Sequence, residues 1–252
     1  MSVLEKARKG LSSYGLNVSL ADPVILEIAK AAGFDFVRLD CEHILFDEKT
    51  LCEMLRMGQL LELDVQVRVP DLSRVTALLD MGASGIMVPH VETPDDVECA
   101  VNAVKYPPLG DRGLTGAARV LGFGRKTTAA YQQSANEQVA LIIQIESTKG
   151  IENIDAILEQ PGVDLVATGR NDLSQSLGIP GQKNDPIVLE AEDFIIQKTL
   201  EHGKFPTILC KNQKRLQELY AKGVRCFSAA RDDLLLKKAL AAQLEGLKEA
   251  EQ

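Results

Sequence analysis

The chain has 252 residues, of which 45% are hydrophobic and 25% are charged, a balance typical of globular proteins. Its 36 Asp and Glu residues outnumber 28 Lys and Arg residues, which gives a formal net charge of −8 at pH 7. No basic cluster is dense enough to follow a phosphate backbone and Trp is absent, so we expect no nucleic-acid partner.

The N-terminal and cysteine patterns bear on location. The opening MSVLEKARKG alternates charged and apolar residues, so neither a signal peptide nor a membrane span is expected. The five cysteines, at positions 41, 52, 99, 210 and 226, show no CxxC spacing. Free thiols in a reducing compartment are therefore expected, and the cytoplasm is the predicted location.

Eight short runs of aliphatic and β-branched residues recur along the chain, and most are too apolar to have one face in water. This composition predicts parallel strands that are covered on both faces. The predicted strands span 16–20, 34–40, 64–69, 85–89, 140–146, 164–169, 205–210 and 224–229.

Helical patterns separate the predicted strands. Segments 22–33 and 93–104 both begin with a capping residue followed by proline. Further helices are predicted over 73–82, 212–223 and 234–252. Eight strands, each followed by a helix and with no linker between them, predict one (β/α)8 barrel, a TIM barrel, over residues 1–252. A doubly wound sheet is the alternative, although no GxGxxG motif follows the first strand.

The longest insertion, 105–138, follows the fourth predicted strand, and its length predicts a functional loop or additional helix. In such a barrel the chemistry lies at the carboxyl ends of the strands. Many polar residues fall at or just after these ends, and their convergence at one mouth is what an active site needs. They are Asp40, Glu42, His43, Arg68, His90, Gln144, Glu146, Arg170, Asn171, Asp172, Lys211 and Asn212.

Two carboxylates at neighbouring strand ends, Glu146 and Asp172, suggest a metal site. Without Cys or His beside them they suit Mg²⁺ or Mn²⁺ better than Zn²⁺. The alternative is that Glu146 merely ends a strand and Asp172 caps the following helix.

His43 is a candidate general base, because an imidazole of ordinary pKa accepts a proton near neutral pH. An acidic partner would hold its tautomer, and four carboxylates are candidates for that partner. They are Asp40, Glu42, Asp47 and Asp80.

Several longer segments resemble the HpcH/HpaI aldolase family, the class II pyruvate aldolases, and the resemblance covers nearly the whole chain. The segments are AGFDFVRLDCEH (32–43), VRVP (67–70), LLDMGASGIMVPHVETPDD (78–96), YPPLGDRG (106–113), IIQIES (142–147), GVDLVATGRNDLSQSLG (162–178) and GVRCFSAARDDLLL (223–236).

The resemblance implies reversible cleavage of a 4-hydroxy-2-oxo acid, acidic or sugar-derived, to pyruvate and an aldehyde through a metal-bound pyruvate enolate. It implies Mg²⁺ or Mn²⁺, with Co²⁺ as a further option, held by Glu146 and Asp172. His43 then matches the catalytic histidine, Asp80 its partner, and Arg68 the arginine that stabilises the enolate. Further positions match those that line the site or bind the pyruvate carboxylate: Asp40, Glu42, Gln144 and the backbone amides of Asn171 and Asp172.

The chain departs from the family's usual Gly-Pro-x-Asp, since it reads GRND after the sixth strand, and Cys41 replaces a small or aliphatic residue. Arg170 and Lys211 are our candidates for selecting an acceptor that carries a carboxylate or phosphate. The alternative is that both side chains point into solvent.

Other activities remain open at this point. A Schiff-base aldolase would need a lysine at a strand end, and Lys211 is the candidate. Related possibilities are a carbon–carbon lyase acting on an acyl-CoA ester, an oxaloacetate decarboxylase, or a non-catalytic binding barrel. The resemblance also implies a homohexamer in which the C-terminal helix, about 231–252, is exchanged between subunits.

Overall fold

Eight parallel strands form a closed barrel in the order of the sequence, with β8 paired to β1. A computed structural model describes residues 1–116, 118–125 and 127–250. The barrel is a single domain, as predicted, and the doubly wound alternative is wrong. The strands are β1 (Ser13–Val18), β2 (Phe36–Asp40), β3 (Asp64–Arg68), β4 (Gly85–Val88), β5 (Ala140–Ile145), β6 (Leu165–Thr168), β7 (Phe205–Leu209) and β8 (Cys226–Arg231).

Helices surround the barrel and cover its amino-terminal end. They are α1 (Val3–Arg8), α2 (Val24–Ala31), α3 (Glu48–Leu60), α4 (Val75–Met81), α5 (Pro94–Val104), α6 (Thr128–Gln138), α7 (Thr148–Glu152), α8 (Ile154–Glu159), α9 (Arg170–Ser176), α10 (Pro186–Glu201), α11 (Gln213–Ala221) and α12 (Asp232–Glu249). No helix in the described ranges is long and apolar enough to cross a membrane. Insertion 105–138 contains α6 and a short 3-10 turn, Arg119–Leu121, so the expectation of additional helix is confirmed.

The first strand begins three residues earlier than predicted, because its opening SYG contains no apolar run. Tertiary pairing extends it, since Ser13 and Tyr14 pair with β8. Gly15 is required there, because any side chain at this position would collide with the Phe36 ring. The aromatic side chain thereby fills the barrel interior.

Side chains inside the barrel form an apolar floor beneath a polar layer. The floor contains Phe36 and Ile142, and Val3 and Leu4 of α1 belong to the same cluster. Above it Arg38 is buried and bonded by neutral groups: Gln66 at 2.8 Å, Ser228 at 3.0 Å and Thr207 at 3.2 Å. Burial lowers the pKa of Arg38 to about 10. The guanidinium still carries its charge at neutral pH, directly beneath the mouth.

Candidate active site

The register between β2 and β3 sets Asp40 beside Arg68 at the carboxyl end of the barrel. Arg68 Nε and Nη2 donate to the two Asp40 carboxylate oxygens at 3.0 and 2.6 Å. Arg68 Nη1 lies 2.9 Å from Glu42 Oε2. Burial disfavours the charges of this group, but the mutual contacts raise the pKa of Arg68 and lower that of Asp40. The result is a guanidinium held rigidly in one orientation at the mouth.

Glu146, just after β5, is the most buried carboxylate of the mouth, with 3% of its surface exposed. Gln144 Nε2 donates to Glu146 Oε2. Burial raises the pKa of Glu146, and the charge of Asp172 adds to that effect. A side chain at Gly169 would crowd Glu146 Oε2 and Gln144 Nε2, so these side chains would have to move to accept it. The site therefore concentrates negative charge that a cation would relieve.

His90 lies between two carboxylates and is a site residue whose importance the sequence did not reveal. Its Nε2 lies 2.7 Å from Glu42 Oε1, and its Nδ1 lies 3.0 Å from Glu146 Oε1. Its backbone N–H also donates to Glu146 Oε1, at 3.1 Å. The backbone has φ +56°, a left-handed conformation that costs a non-glycine residue about 1–2 kcal/mol. We refer to Asp40, Glu42, Arg68, His90, Gln144 and Glu146 as the mouth cluster.

The expected pairing of His43 with Asp80 is not present among the contacts of the described residues. His43 Nε2 lies 3.7 Å from Glu42 Oε2, and its side chain is 62% exposed. Asp80, on α4, accepts instead from Arg112 Nη2 at 2.7 Å. The Arg112 guanidinium stacks 4.5 Å above the Tyr106 ring. Sequence reasoning missed Arg112 because it lies in the long insertion, far from any strand end.

The four remaining candidates lie at the ends of β6 and β7. Asn171 and Asp172 are in the first turn of α9, where backbone N–H groups have no helical partner. Arg170 Nε lies 3.5 Å from the buried Glu192 on α10, so its charge is partly neutralised. Lys211 follows β7, and the described residues include no carboxylate in ion-pair contact with it. Burial lowers the pKa of Lys211, and the positive charges of Lys183, Arg231 and Arg170 lower it further.

Segment 41–55 is mainly structural apart from Glu42 and His43. Asp47 caps α3 by accepting from the backbone N–H of Thr50 at 3.0 Å, as expected of a helix start. Cys41 lines an apolar cavity of about 260 Å³ with Phe46, Val69 and Leu78 among its walls. Burial, with the nearby Asp40 charge, raises the Cys41 pKa to about 11. The thiol is therefore a small apolar side chain at neutral pH.

The oxygen donors at the mouth are of the kind that bind a divalent cation. Within the described ranges, no three His, Cys, Asp or Glu side chains are arranged as a ready metal site. Glu146 and Asp172 supply two hard oxygen donors close enough to influence each other's charge. Two carboxylates leave coordination positions for water and substrate oxygens, as Mg²⁺ and Mn²⁺ sites commonly do.

Known proteins are similar to this chain over most of its length. The model of the family HpcH/HpaI aldolase/citrate lyase matches residues 13–239. A 4-hydroxy-2-oxovalerate aldolase from Rhodococcus jostii is 34% identical, over 93% of this chain and 91% of its own. A hydroxypyruvate/pyruvate aldolase from Pseudomonas aeruginosa is also 34% identical, over 94% of this chain and 88% of its own. The solved structure of citrate synthase SbnG superposes with a TM-score of 0.92 at 32% identity, covering 99% of this chain and 98% of that one.

A closed (β/α)8 barrel with its ionisable cluster at the carboxyl ends of the strands defines the class: a TIM-barrel enzyme. The chain belongs to the HpcH/HpaI aldolase/citrate lyase family. It is thus an enzyme of the aldolase and lyase group.

Proposed function

We propose that the chain is a divalent-metal-dependent aldolase that reversibly cleaves a 4-hydroxy-2-oxo acid to pyruvate and an aldehyde. The observation that carries this proposal is the mouth cluster, in which a fixed guanidinium and a buried carboxylate share one opening. Asp40, Glu42 and Glu146 all act electrostatically on Arg68. Substrate oxygens would lie between the donors of Arg68 and the cation ligands Glu146 and Asp172.

Arg68 would stabilise the charge that develops on the keto oxygen during the reaction. Three of its nitrogens are already engaged by Asp40 and Glu42, which leaves the orientation of the plane fixed before substrate binds. Donors that need no reorientation stabilise a developing enolate more than the ground-state ketone. A cation bound by Glu146 and Asp172 supplies Lewis-acid polarisation of the same keto group.

His43 would accept the proton of the 4-hydroxyl group in the cleavage direction. Its exposed ring donates no hydrogen bond to Asp80, whose carboxylate accepts from Arg112 instead. Glu42, at 3.7 Å, is the carboxylate nearest to the ring. The pyruvate carboxylate would accept from the backbone amides of Asn171 and Asp172, which begin α9.

Chelation and trapping test this proposal. We expect EDTA to abolish cleavage, Mn²⁺ or Mg²⁺ to restore it, and borohydride with pyruvate to leave no covalent adduct. Exchange of the pyruvate methyl protons in D2O should depend on the same metal. The lowered pKa of Lys211 favours the Schiff-base rival, since it increases the neutral amine. An adduct on Lys211 with activity that survives EDTA would therefore reject the metal mechanism.

A second candidate is carbon–carbon chemistry on an acyl-CoA ester, and the similarity to citrate synthase SbnG favours it. Acyl-CoA substrates and 4-hydroxy-2-oxo acids assayed side by side separate the two. Turnover of an acyl-CoA alone would replace the aldolase proposal.

Lys211 and Arg170 would select an aldehyde that carries a carboxylate or phosphate. The positive charges of Arg170, Arg231 and Lys183 act on Lys211. No carboxylate among the described residues forms an ion pair with Lys211, so its charge is available to an anionic substrate. We expect Lys211→Ala to lower the preference for a semialdehyde over an uncharged aldehyde. Arg170→Ala should have a smaller effect, because Glu192 already partners that guanidinium. Unchanged preference in both variants would reject this selectivity.

The assembly we propose is a homohexamer in which α12 is exchanged between subunits. All six leucines of α12 are exposed by 45 to 62%, and Asp232 is its one buried residue. The adjoining helices α2 and α11 also expose apolar side chains, Val24, Ile28 and Tyr220. A partner's α12 laid between them would cover both surfaces. Five free cysteines support a cytoplasmic location.

A further inference from the structure

Arg38 lies inside the barrel, one layer of side chains below the mouth cluster. Successive side chains of a strand point to opposite faces, so Phe36, Arg38 and Asp40 of β2 all point inward. Phe36 belongs to the apolar floor, and Asp40 binds Arg68 at the mouth. Arg38 is two residues from Asp40, a separation of roughly 7 Å along the strand. Its charge therefore lies close beneath the site.

Four hydrogen bonds hold the guanidinium of Arg38, and every acceptor is neutral. Gln66 Oε1 accepts from Nη2 at 2.8 Å and from Nε at 3.2 Å. Ser228 Oγ accepts from Nη1 at 3.0 Å, and Thr207 Oγ1 accepts from Nη2 at 3.2 Å. No carboxylate of the described residues lies in ion-pair contact with Arg38. The result is a positive charge without a counter-ion, fixed from three other strands.

This arrangement is unfavourable for folding. Burial of a charge without a partner of opposite sign costs free energy, and apolar side chains often replace buried charges without loss of stability. Other strands do fill the same interior with apolar side chains, among them Ile142 and Ala167. Local features that oppose stability are typical of functional sites. The charge of Arg38 is therefore a candidate for a functional role.

The balance of charge at the mouth indicates which role. Three carboxylates, Asp40, Glu42 and Glu146, surround the one guanidinium of Arg68. This excess of negative charge repels an anionic substrate. A buried cation offsets the repulsion effectively, because little water screens it. Burial has the largest effect on the pKa of Arg38, but the charges of Arg68 and Asp40 also act on it.

We propose that Arg38 is a specificity-determining residue, whose buried charge favours binding of the anionic substrate and its enolate at the mouth. The inference rests on the proposed aldolase function, because it concerns the substrate of that reaction. Arg38 acts through space and not by contact. The same charge repels the divalent cation, so it strengthens anion binding and weakens cation binding. A merely structural role would have no such opposite effects, since a damaged fold weakens both.

Calorimetric titrations at about pH 8, well above the usual carboxylate pKa values, measure both effects. The probes are Mn²⁺ and then oxalate, a dianion that presents paired oxygens as the pyruvate enolate does. We expect Arg38→Met to bind Mn²⁺ about tenfold more tightly. It should bind oxalate in the Mn²⁺-loaded enzyme about tenfold more weakly, as expected for loss of a unit charge at this range. Arg38→Gln, whose amide can still donate within the layer, should show the same two changes.

Gln66→Met is the matched control, because it disturbs the same layer and keeps the charge. Both affinities should stay within about threefold of the wild type, since the Coulomb interaction is retained. Gln66→Met should lose stability in urea, because two N–H groups of a buried guanidinium lose their acceptor. Arg38→Met should lose less, since it removes the buried charge itself.

The outcomes separate this inference from the function on which it rests. If the wild type binds Mn²⁺ and cleaves the oxo acid but oxalate affinity is unchanged in Arg38→Met, the role of Arg38 alone is rejected. Weaker binding of both Mn²⁺ and oxalate, or failure of both Arg38 variants to fold, would show a structural role and also overturn it. A wild type that binds no Mn²⁺ would reject the metal-dependent function together with this role.

Discussion

At the scale of single residues, Arg68 has the most demanding geometry in the mouth cluster. Its planar fork binds Asp40 through two nitrogens and Glu42 through the third. Lysine cannot reproduce this arrangement, because an ammonium is a point charge on a flexible stem. Arg68→Lys therefore tests orientation while keeping the charge.

We predict that Arg68→Lys lowers kcat by about 10²- to 10³-fold, the range seen when one preorganised donor to a developing oxyanion is lost. Pyruvate methyl exchange in D2O should fall in parallel, since it reports enolate formation without the aldehyde. Arg74→Lys is the control, because Arg74 pairs with Glu48 at an exposed position. Normal exchange in Arg68→Lys would contradict the assigned role.

Asp40 provides a prediction for pH. Burial opposes its charge, but Arg68 and the backbone N–H groups outweigh it, so the folded-state pKa is depressed. The stability that Asp40 contributes is therefore complete above the unfolded pKa of about 3.9, and it is lost as the pH falls through the lower folded value. The difference in free energy of unfolding between the wild type and Asp40→Asn should shrink as acid is added.

Asp64 is the matched control for that measurement, because burial raises its pKa. Its ionised form is disfavoured in the folded state, so its contribution becomes less favourable as pH rises through the window between the unfolded and folded values. Asp64→Asn should thus show the opposite trend in urea titrations across the acid range. Identical trends in the two variants would contradict the assignment of Asp40.

At the scale of elements, α12 stands out among the described helices because all of its leucines are exposed. Its leucines lie on an exposed helix, while Asp232 anchors its first turn by accepting from the Ser19 and Leu20 backbone N–H groups at 3.0 and 2.9 Å. Because β8 neighbours β1, a helix that follows β8 would pack between α11 and α2 in a self-contained barrel. The exposed leucines support the proposal that α12 packs on another copy of the chain.

We predict that the double substitution Leu240→Glu and Leu244→Glu shifts the proposed hexamer to smaller species in light scattering after gel filtration. Burying a carboxylate in an apolar contact costs more free energy than the contact contributes to assembly. Gln243→Glu on the same helix is the control, and its assembly should be unchanged. A wild type that elutes as a monomer would reject helix exchange.

At the scale of the whole molecule, cation binding should stabilise the fold. A ligand bound only by the folded state raises the free energy of unfolding by about 2.7 kcal/mol at one hundred times its Kd. For a chain of this size that corresponds to a rise in Tm of about 5–10 °C. We predict this rise when Mn²⁺ is added to the chelated wild type, measured by calorimetry.

Glu146→Gln should lose that rise, because the amide keeps the shape of the side chain but supplies a neutral ligand. Glu92→Gln is the control, since Glu92 forms a surface ion pair with Lys149. A full rise in Glu146→Gln would place the cation elsewhere on the molecule.

The alternation of apolar runs and helical segments along the sequence was sufficient to predict the barrel. Parallel strands buried on both faces leave a strong local signal, since nearly every residue of a run such as 140–145 is apolar. The ends of β1 were less predictable, because Ser13 and Tyr14 join the strand only through their pairing with β8. The predicted strand ends also indicated that Arg68 and Glu146 lie at the same mouth, because parallel strands bring all their carboxyl ends to one side of the barrel.

What the sequence determined by itself was thus the fold, the family and the end of the barrel that holds the site. The tertiary structure alone decided the partners: Asp80 with Arg112, Arg170 near Glu192, and His90 between Glu42 and Glu146. The physical reason is the distance along the chain over which each kind of information acts. Periodicity and capping are local and are written in neighbouring residues, whereas a pair contact depends on the backbone direction of loops such as that at His90.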